Sequence, residues 1–363
     1  MSVAGAGGVQ RIRHGLAHAV VLALLVATLG GCASAPGGGS TGGTPSAGAS
    51  SAASAATALP SWRDGAARQT IVRFVESVTR QGSAEYVPPA ERIAVFDNDG
   101  TLWSEQPLYF QFFFLLDQVR AAAPQHPEWK SNPAFKAIMA NDMAGLMREE
   151  KRLLPLIAQA NSGMTVDEYD RTIRAWLDSA RHPKFNRRYT DLVFQPQLEL
   201  LNYLRANGFK TFIVSGGTIE FMRPWSERVY GIPPEQVVGS TQSVTYEMRG
   251  GQPTLVRGPK LEFINDGAGK PVGIYRQIGR RPILAVGNSD GDLQMLQYTM
   301  AGTGSRLAVL VHHDDAEREF AYDRKSGIGK LDRALDEARA RGWTVISMQQ
   351  DWSQIYPSVR TQP

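Results

Sequence analysis

The sequence predicts an α/β fold in which a parallel sheet is covered by helices on both faces. The main observation is that three short apolar runs, typical of buried strands, each lead directly into a polar loop. The runs are 93–96, 211–214 and 283–286, and the loops are 97–101, 215–218 and 287–292. Because ligands bind beyond the carboxyl ends of parallel strands, we expect the three loops to line one pocket.

The first 32 residues are predicted to be an export signal. Arg11 and Arg13 precede the apolar run 19–26, and small residues follow it up to Cys32, which is the order of a secretory signal. A membrane span needs about 20 apolar residues, so the run is too short to be one. Residues 29–32 (Leu-Gly-Gly-Cys) resemble the lipobox of bacterial lipoproteins, which implies lipidation of Cys32. A plain secretory peptide with an incidental thiol is the alternative.

Residues 33–59 are predicted to be a flexible tether. They are almost entirely Gly, Ser, Ala, Thr and Pro, and such a stretch buries too little apolar surface to offset its chain entropy. We therefore expect an exported protein of the bacterial cell envelope, lipid-anchored on the periplasmic side of a membrane. The single cysteine excludes intramolecular disulfides and any cysteine-based metal cluster.

The charge pattern gives no indication of a nucleic-acid partner. The formal net charge of +4 falls towards neutrality once the signal is removed, because two arginines leave with it. No block of Lys and Arg with interleaved aromatic residues is present in the sequence, so nucleic-acid binding is excluded as a function class.

The folded part is predicted to be a core, 60–102 and 190–363, interrupted by a helical cap at 103–189. A helix over 70–79 precedes the first strand. The cap has apolar residues at helical spacing over 108–123, 132–147, 153–160 and 165–181. Asn132-Pro133 is typical of a helix start, and Thr165 with Glu168 is typical of a capping box.

The strand and helix alternation resumes after the cap. Residues 197–207 have a helical pattern that ends at Gly208, before a strand over 209–214. Alternating β-branched and polar residues between 237 and 256, with a turn at 249–252, predict a β-hairpin. Two further strands are predicted at 307–311 and 344–347. The polar pair His312-His313 is interpreted as a loop at the end of the first of them.

The first polar loop carries two carboxylates that can divide the work of phosphoryl transfer. One oxygen of Asp97 can bind a metal ion while the other attacks phosphorus, which forms an aspartyl-phosphate. Asp99 can then protonate the leaving oxygen and later deprotonate the hydrolytic water. Gly100 permits a sharp turn beside the ligand.

The other two loops supply groups that suit a phosphate and a divalent cation. Ser215, Gly216 and Gly217 precede a predicted helix, where a hydroxyl, backbone N–H groups and the helix dipole favour phosphate oxygens. The acidic loop 287–292 would complete a Mg²⁺ shell, because Mg²⁺ prefers a few oxygen ligands together with water and substrate oxygens.

Together these motifs resemble the haloacid dehalogenase (HAD) superfamily, over about residues 90–315. The first motif matches 97–101, the second Ser215, the third Lys260 and the fourth 288–292. The opening Asp-Asn-Asp-Gly-Thr-Leu-Trp and the helical cap resemble the phosphoserine-phosphatase-like branch. The resemblance implies a HAD-like Rossmannoid sheet and a Mg²⁺-dependent phosphatase that acts on a small phosphorylated metabolite.

The resemblance also implies roles for individual residues. It makes Asp97 the nucleophile and Asp99 the general acid and base, and it makes Lys260 the fixed positive charge. The implied metal ligands are Asp97, Asp99, Asn288 and Asp292, and Thr101 joins the phosphate-binding residues. Haloacid dehalogenases themselves lack the second aspartate, so Asp99 favours phosphate over halide chemistry.

Asn288 departs from the family pattern, which has Asp at this position. An amide oxygen can still bind Mg²⁺ but brings one negative charge fewer, so we expect weaker metal binding or a larger share for Asp292. Trp103 and Glu105 follow the first loop directly and are predicted to contact the leaving group, Trp103 by stacking on a cation and Glu105 by pairing with an amine. The alternative for both is a packed hinge of the cap.

The sequence leaves two functional alternatives open. A phosphotransferase would use the same aspartyl-phosphate with another hydroxyl in place of water. A non-catalytic lipoprotein would bind phosphorylated ligands at a weakened metal site, for which Asn288 is the favouring feature.

Overall fold

The computed structural model of the chain describes residues 59–358. The predicted signal peptide, Cys32 and nearly all of the predicted tether lie outside these residues. Leu59, predicted as the last tether residue, is fully buried in the core. No helix within 59–358 combines the length and apolarity needed to cross a membrane.

The centre of the fold is a sheet of eight strands within the described residues. They are β1 (Ile93–Phe96), β2 (Lys210–Thr218), β3 (Val237–Arg249), β4 (Gln252–Phe263), β5 (Leu284–Gly287), β6 (Leu307–Asp314), β7 (Ala321–Tyr322) and β8 (Thr344–Ser347). The spatial order is β4-β3-β2-β1-β5-β6-β7, and β8 also pairs with β6. Only β3 with β4 and β6 with β7 are antiparallel, so the predicted, mainly parallel sheet is confirmed.

Helices cover both faces of this sheet. The α-helices of the described residues, including those of the insert defined below, are α1 (Ala66–Thr79), α2 (Phe110–Ala122), α3 (Pro133–Ala140), α4 (Met143–Arg148), α5 (Glu150–Asn161), α6 (Val166–Ser179), α7 (Gln195–Ala206), α8 (Ile219–Tyr230), α9 (Gly269–Gly273), α10 (Leu293–Met300), α11 (Arg333–Arg341) and α12 (Met348–Asp351). Successive side chains of a strand point to opposite faces. Accordingly Ala94 and Phe96 of β1 belong to one apolar cluster, and Ile93 and Val95 belong to another.

Residues 103–189, called the insert below, contain α2 to α6. Phe114 and Ile173 of the insert pack into the cluster of the sheet, whereas Phe112, Ile138 and Leu153 belong to a separate cluster. The insert thus has a small core of its own. Its action as a cap remains a prediction.

The predicted helix starts in the insert are confirmed. The Asn132 side chain accepts the Ala134 backbone N–H, and Thr165 with Glu168 forms a complete capping box. The single helix predicted over 132–147 is wrong. Asn141 has φ 53°, in the left-handed region, and ends α3 before α4 begins. Asparagine adopts this conformation more readily than other non-glycine residues.

The predicted hairpin between β2 and β5 is confirmed. Strands β3 and β4 pair antiparallel with Arg249 opposite Gln252, so the turn lies at the predicted position. Strand β4 extends to Phe263, beyond the expected end at 256. Lys260 therefore lies within a strand.

Candidate active site

Polar residues at the carboxyl ends of β1, β2 and β5 line one cavity of about 240 Å³. Three further regions contribute to its wall: helices α2, α5 and α6 of the insert, the β3–β4 hairpin, and the segment 327–330. The expectation that the strand ends converge on one pocket is confirmed. Asp97, Asp99, Ser215, Gly216 and Gly217 all line it.

A buried lysine between two aspartates forms the charged centre of the site. The Nζ atom of Lys270 lies 2.8 Å from Asp97 Oδ1 and 2.6 Å from Asp292 Oδ1. Lys270 is 1% exposed and Asp292 is fully buried. Although burial alone lowers the pKa of Lys270, the charges of Asp292 and Asp97 outweigh it and raise that pKa. Lys270 therefore remains charged and favours the carboxylate form of Asp97.

The assignment of the third motif to Lys260 is wrong. Lys260 lies exposed on β4, and the position next to Asp97 belongs to Lys270 of the short helix α9. A signal was available in the sequence. A first strand of 13 residues needs a hairpin partner of similar length after the turn, and a partner of that length includes residue 260. Lys270 is then the next lysine available to the site.

Burial sets the acid–base properties of the two loop aspartates. Burial, with a further contribution from the charge of Asp292, raises the pKa of Asp97 well above its usual value, and Lys270 opposes the rise. Burial also raises the pKa of Asp99, and the hydrogen bond from Trp103 opposes it. A raised pKa suits a carboxyl group that has to donate a proton near neutral pH.

The prediction that Trp103 contacts the substrate is wrong. Its side chain is fully buried and stacks on Trp225 with ring centroids 4.4 Å apart, so no face is open to a cation. Its indole Nε1–H donates to Asp99 Oδ1 at 2.9 Å. Trp103 therefore positions Asp99.

Thr101 and Glu105 contact Asn288. The Thr101 hydroxyl donates to Asn288 Oδ1 at 3.0 Å, and Asn288 Nδ2 donates to Glu105 Oε1 at 2.7 Å. Tyr322 OH donates to the same Glu105 oxygen at 2.8 Å. Thr101 is fully buried, so its predicted contact with phosphate is wrong. Glu105 lines the cavity, and its predicted pairing with a substrate amine stays a prediction.

Asp292 holds Lys270 and the loop 287–292 in place, and its predicted role as a metal ligand stays a prediction. Its Oδ1 accepts from Lys270, and its Oδ2 accepts the backbone N–H groups of Asn288 and Ser289 at 2.9 and 3.1 Å. Both oxygens thus accept hydrogen bonds that hold Lys270 and the loop 287–292 in place. No group of three or more His, Cys, Asp or Glu side chains within residues 59–358 is arranged to hold a metal ion.

The remaining oxygen donors still fit a hard cation. Asp97 Oδ1 pairs with Lys270 Nζ at 2.8 Å, and a carboxylate oxygen has a second lone pair that a cation can use. Asn288 Oδ1 accepts one hydrogen bond and an amide oxygen has two lone pairs. Carboxylate and amide oxygens are the ligands that Mg²⁺ prefers, so Asp97, Asp99 and Asn288 form a suitable donor set.

The prediction of a loop at 215–218 is wrong, because these residues form the end of β2. They still have the shape of a phosphate cradle. The Ser215 hydroxyl accepts the Gly217 N–H at 3.0 Å, and α8 begins directly afterwards at Ile219. Gln111 of α2, which no sequence pattern singled out, contacts this segment. Its Nε2 donates to Thr218 Oγ1 at 2.9 Å, and its Oε1 accepts the Thr218 N–H at 3.0 Å. These bonds join the insert to the cradle.

A buried histidine contacts the backbone of the first loop. His313 Nε2 lies 2.7 Å from the Gly100 carbonyl oxygen, and His313 Nδ1 lies 3.1 Å from Glu319 Oε2. His313 is on β6 and 2% exposed, so interpreting it as part of a polar loop is wrong. The alternation of residues along β6 was the available signal.

The sequence of residues 94–297 matches the family of haloacid dehalogenase-like hydrolases. This match covers more than half of the 363 residues, and the chain belongs to that family. The predicted membership of the HAD superfamily and the HAD-like fold are thereby confirmed. No curated protein matches the chain.

Several solved structures resemble the chain. A conserved protein of unknown function from Anaerococcus prevotii is 15% identical, with a TM-score of 0.47, 80% of this chain covered and 94% of that one. A protein of unknown function from Bordetella pertussis is 17% identical, with a TM-score of 0.44 and coverages of 70% and 98%. A HAD family hydrolase from Salmonella enterica is 19% identical, with a TM-score of 0.37 and coverages of 73% and 71%. The family assignment rests on the sequence match.

Proposed function

We propose that this protein is a Mg²⁺-dependent phosphatase that hydrolyses a small phosphomonoester through an aspartyl-phosphate. The observation that carries the proposal is the carboxylate of Asp97, which faces the cavity beside a buried lysine that a second aspartate holds in place. A fixed cation next to a carboxylate nucleophile stabilises the negative charge of a transferring phosphoryl group.

The chemistry follows from the two aspartates of the first loop. A carboxylate oxygen of Asp97 bonds to phosphorus, the bond from phosphorus to the leaving oxygen breaks, and Asp99 gives that oxygen a proton. Asp99 then takes a proton from water, whose oxygen bonds to phosphorus and releases the Asp97 carboxylate. Asp97, Asp99 and Asn288 would hold Mg²⁺, which supplies charge stabilisation at the phosphoryl oxygens when bound.

The test is release of inorganic phosphate from a panel of phosphomonoesters by the purified full chain with Mg²⁺. Activity that EDTA abolishes and Mg²⁺ restores is expected, together with its loss in Asp97→Asn. An acid-stable radioactive label on the parent but not on the variant, after a quench during turnover, would identify the aspartyl-phosphate.

Binding of phosphate esters without turnover under any divalent metal would overturn the catalytic proposal. The protein would then be the non-catalytic ligand-binding lipoprotein, for which Asn288 is the favouring observation. Transfer to glycerol or ethanol in place of water would instead identify the phosphotransferase.

We propose further that the mature protein is exported and lipid-anchored through Cys32. The support is the order of basic, apolar and small residues before that cysteine. Incorporation of labelled palmitate into the parent, with none in Cys32→Ala, is the expected result in a bacterial host. Labelling of neither protein would contradict the anchor.

A further inference from the structure

We propose that Arg257 binds a second anionic group of the substrate, so that the leaving group of the phosphomonoester carries a carboxylate or another phosphate. This inference rests on the proposed function, because it specifies the leaving group of that reaction. Nothing in the family motifs points to Arg257, which lies on the β3–β4 hairpin.

Arg257 is a buried cation in the wall of the cavity. It is 2% exposed and lines the same cavity as Asp97 and Asp99. Its guanidinium carbon lies 3.3 Å from the centroid of the Tyr169 ring. That ring belongs to α6 of the insert, so this part of the wall is formed where the hairpin meets the insert.

The hydrogen-bond partners of Arg257 are uncharged groups. Its Nη1 donates to the Asn161 carbonyl oxygen at 2.9 Å, and its Nη2 donates to Gln242 Oε1. No carboxylate within residues 59–358 forms an ion pair with it. Glu220 lies next to Gln242: its Oε1 accepts the backbone N–H of Gln242 at 3.3 Å, and its Oε2 is buried without a hydrogen-bond partner. A buried guanidinium without a directly paired carboxylate is costly, so an anion in the cavity that pairs with it would stabilise this site.

Arg257 also has hydrogen-bonding capacity to spare. Its Nε is buried without a hydrogen-bond partner, and a guanidinium has five N–H donors, of which two bonds are accounted for here. The neighbouring Asn161 Oδ1 is a buried acceptor that is likewise without a partner. The planar donor fork of arginine matches a carboxylate or phosphate better than it matches a neutral group.

Arg92 shows what a purely structural buried arginine looks like in this fold. Its Nε and Nη1 both donate to backbone carbonyl oxygens, those of Val87 and Asn207, at 2.8 and 3.0 Å. It does not line the cavity. Arg257 differs in both respects, since its Nε is unpartnered and it faces the space where a substrate would lie.

The rest of the wall near the insert is apolar. Phe112, Leu115, Ile157 and Leu261 line it, and apolar walls bind the apolar body of a ligand while a few polar groups orient it. The substrate class that fits is a phosphomonoester whose leaving group has an apolar middle and a distal anion.

The test compares matched esters on the parent protein and on Arg257→Gln. The panel contains n-alkyl phosphates, ω-carboxyalkyl phosphates and α,ω-alkyl bisphosphates of increasing chain length. We expect the parent to favour an anionic ester over its neutral counterpart by about tenfold or more in kcat/KM. The variant should lose this preference through a rise in KM of roughly tenfold for the anionic ester. The carboxylate and bisphosphate arms identify which anion is bound.

Two control variants separate recognition from folding. Arg249→Gln removes an exposed arginine from the same hairpin and should leave the preference unchanged. Arg257→Lys keeps the charge without the fork and should retain part of the preference. If Arg257→Gln slows neutral and anionic esters equally, Arg257 only joins the hairpin to the insert and the inference is overturned.

Direct binding keeps this test separate from the test of turnover. Calorimetry with non-hydrolysable alkyl and ω-carboxyalkyl phosphonates should show tighter binding of the carboxylated ligand by the parent and equal binding by Arg257→Gln. Hydrolysis of neutral esters without any preference for anionic ones would overturn the inference and leave the phosphatase intact. A carboxylate preference in binding without any hydrolysis would support Arg257 and overturn the phosphatase.

Discussion

The buried cations at the two ends of the cavity have different partners. At the end formed by the sheet, Lys270 lies within 3 Å of carboxylate oxygens from Asp97 and Asp292. At the end formed by the insert and the hairpin, Arg257 has only neutral partners and an unpartnered Nε. Both cations are almost fully buried, so burial does not explain the difference.

This difference separates the end of the cavity proposed for catalysis from the end proposed for substrate recognition. Neutralised charges at the sheet end hold the reacting carboxylate in one place, which is what preorganised electrostatic catalysis needs. Under the proposal for Arg257, a cation without an ion-pair partner at the other end leaves binding energy available for an anionic ligand. The variants below test this difference between the two ends, in order of decreasing expected effect.

The largest effect is expected for Asp97→Asn at the sheet end. The amide cannot act as the nucleophile, and we expect turnover to fall by on the order of 10⁴-fold or more. Phosphate release under saturating substrate measures it, with circular dichroism as the check on folding. Residual turnover within tenfold of the parent would contradict the role of Asp97.

The next largest effect separates two lysines. Lys270→Met leaves Asp97 and Asp292 without their shared cation, and we expect a loss of about 3–5 kcal/mol in the free energy of unfolding and a fall of roughly 10²–10³-fold in kcat. Urea denaturation and phosphate release measure the two effects. Lys260→Met is the matched control, because Lys260 is exposed on β4 and should behave like the parent. Equal losses in both variants would contradict the assignment to Lys270.

Trp103→Phe should have a smaller effect, confined to the acid–base step. It removes the donor to Asp99 Oδ1 but retains an aromatic ring, and we expect kcat to fall about tenfold. The donor favours the carboxylate, so its loss raises the pKa of Asp99 further. Asp99 has to be protonated to act as the acid, and that form is lost as pH rises through its pKa.

The alkaline limb of the kcat/KM profile of Trp103→Phe should therefore move to higher pH. Profiles of parent and variant measured across the same pH range decide this. A shift to lower pH, or a proportional loss at every pH, would indicate that Trp103 only fills space.

The smallest effect is expected at a helix start of the insert, away from both ends of the cavity. Asn132→Ala removes the side-chain bond to the Ala134 N–H and should cost about 1 kcal/mol of stability. Asn132→Asp retains an acceptor and should restore most of it, and neither variant should alter kcat. A change in the preference between neutral and anionic esters would show that the insert transmits strain to the cavity.

The sequence by itself determined the elements whose signals are local. Strand β1 has the predicted bounds, as does β8, because an apolar run between polar breaks is read from neighbouring residues alone. The starts of α3 and α6 follow from capping side chains one to three residues away. The same locality placed Asp97, Asp99 and Ser215 at the cavity, since each follows a short buried apolar run.

Only the tertiary structure decided which distant side chains meet. Lys270 rather than Lys260 reaches Asp97 because the hairpin continues to Phe263 and α9 then returns the chain to the site. Trp103 and Thr101 turn into the protein because their partners, Trp225 and Asn288, come from other elements.

The surroundings of Arg257, the residue proposed for substrate recognition, were likewise decided by the tertiary structure. In the sequence Arg257 lies one residue beyond the hairpin predicted over 237–256. Its lack of an ion-pair partner depends on three neutral neighbours, Asn161 and Tyr169 of the insert and Gln242 of β3. Local pattern fixes the backbone of an element and the face that it buries. The charge that a buried side chain meets is set by the elements that pack around it, because electrostatic interactions act through space and not along the chain.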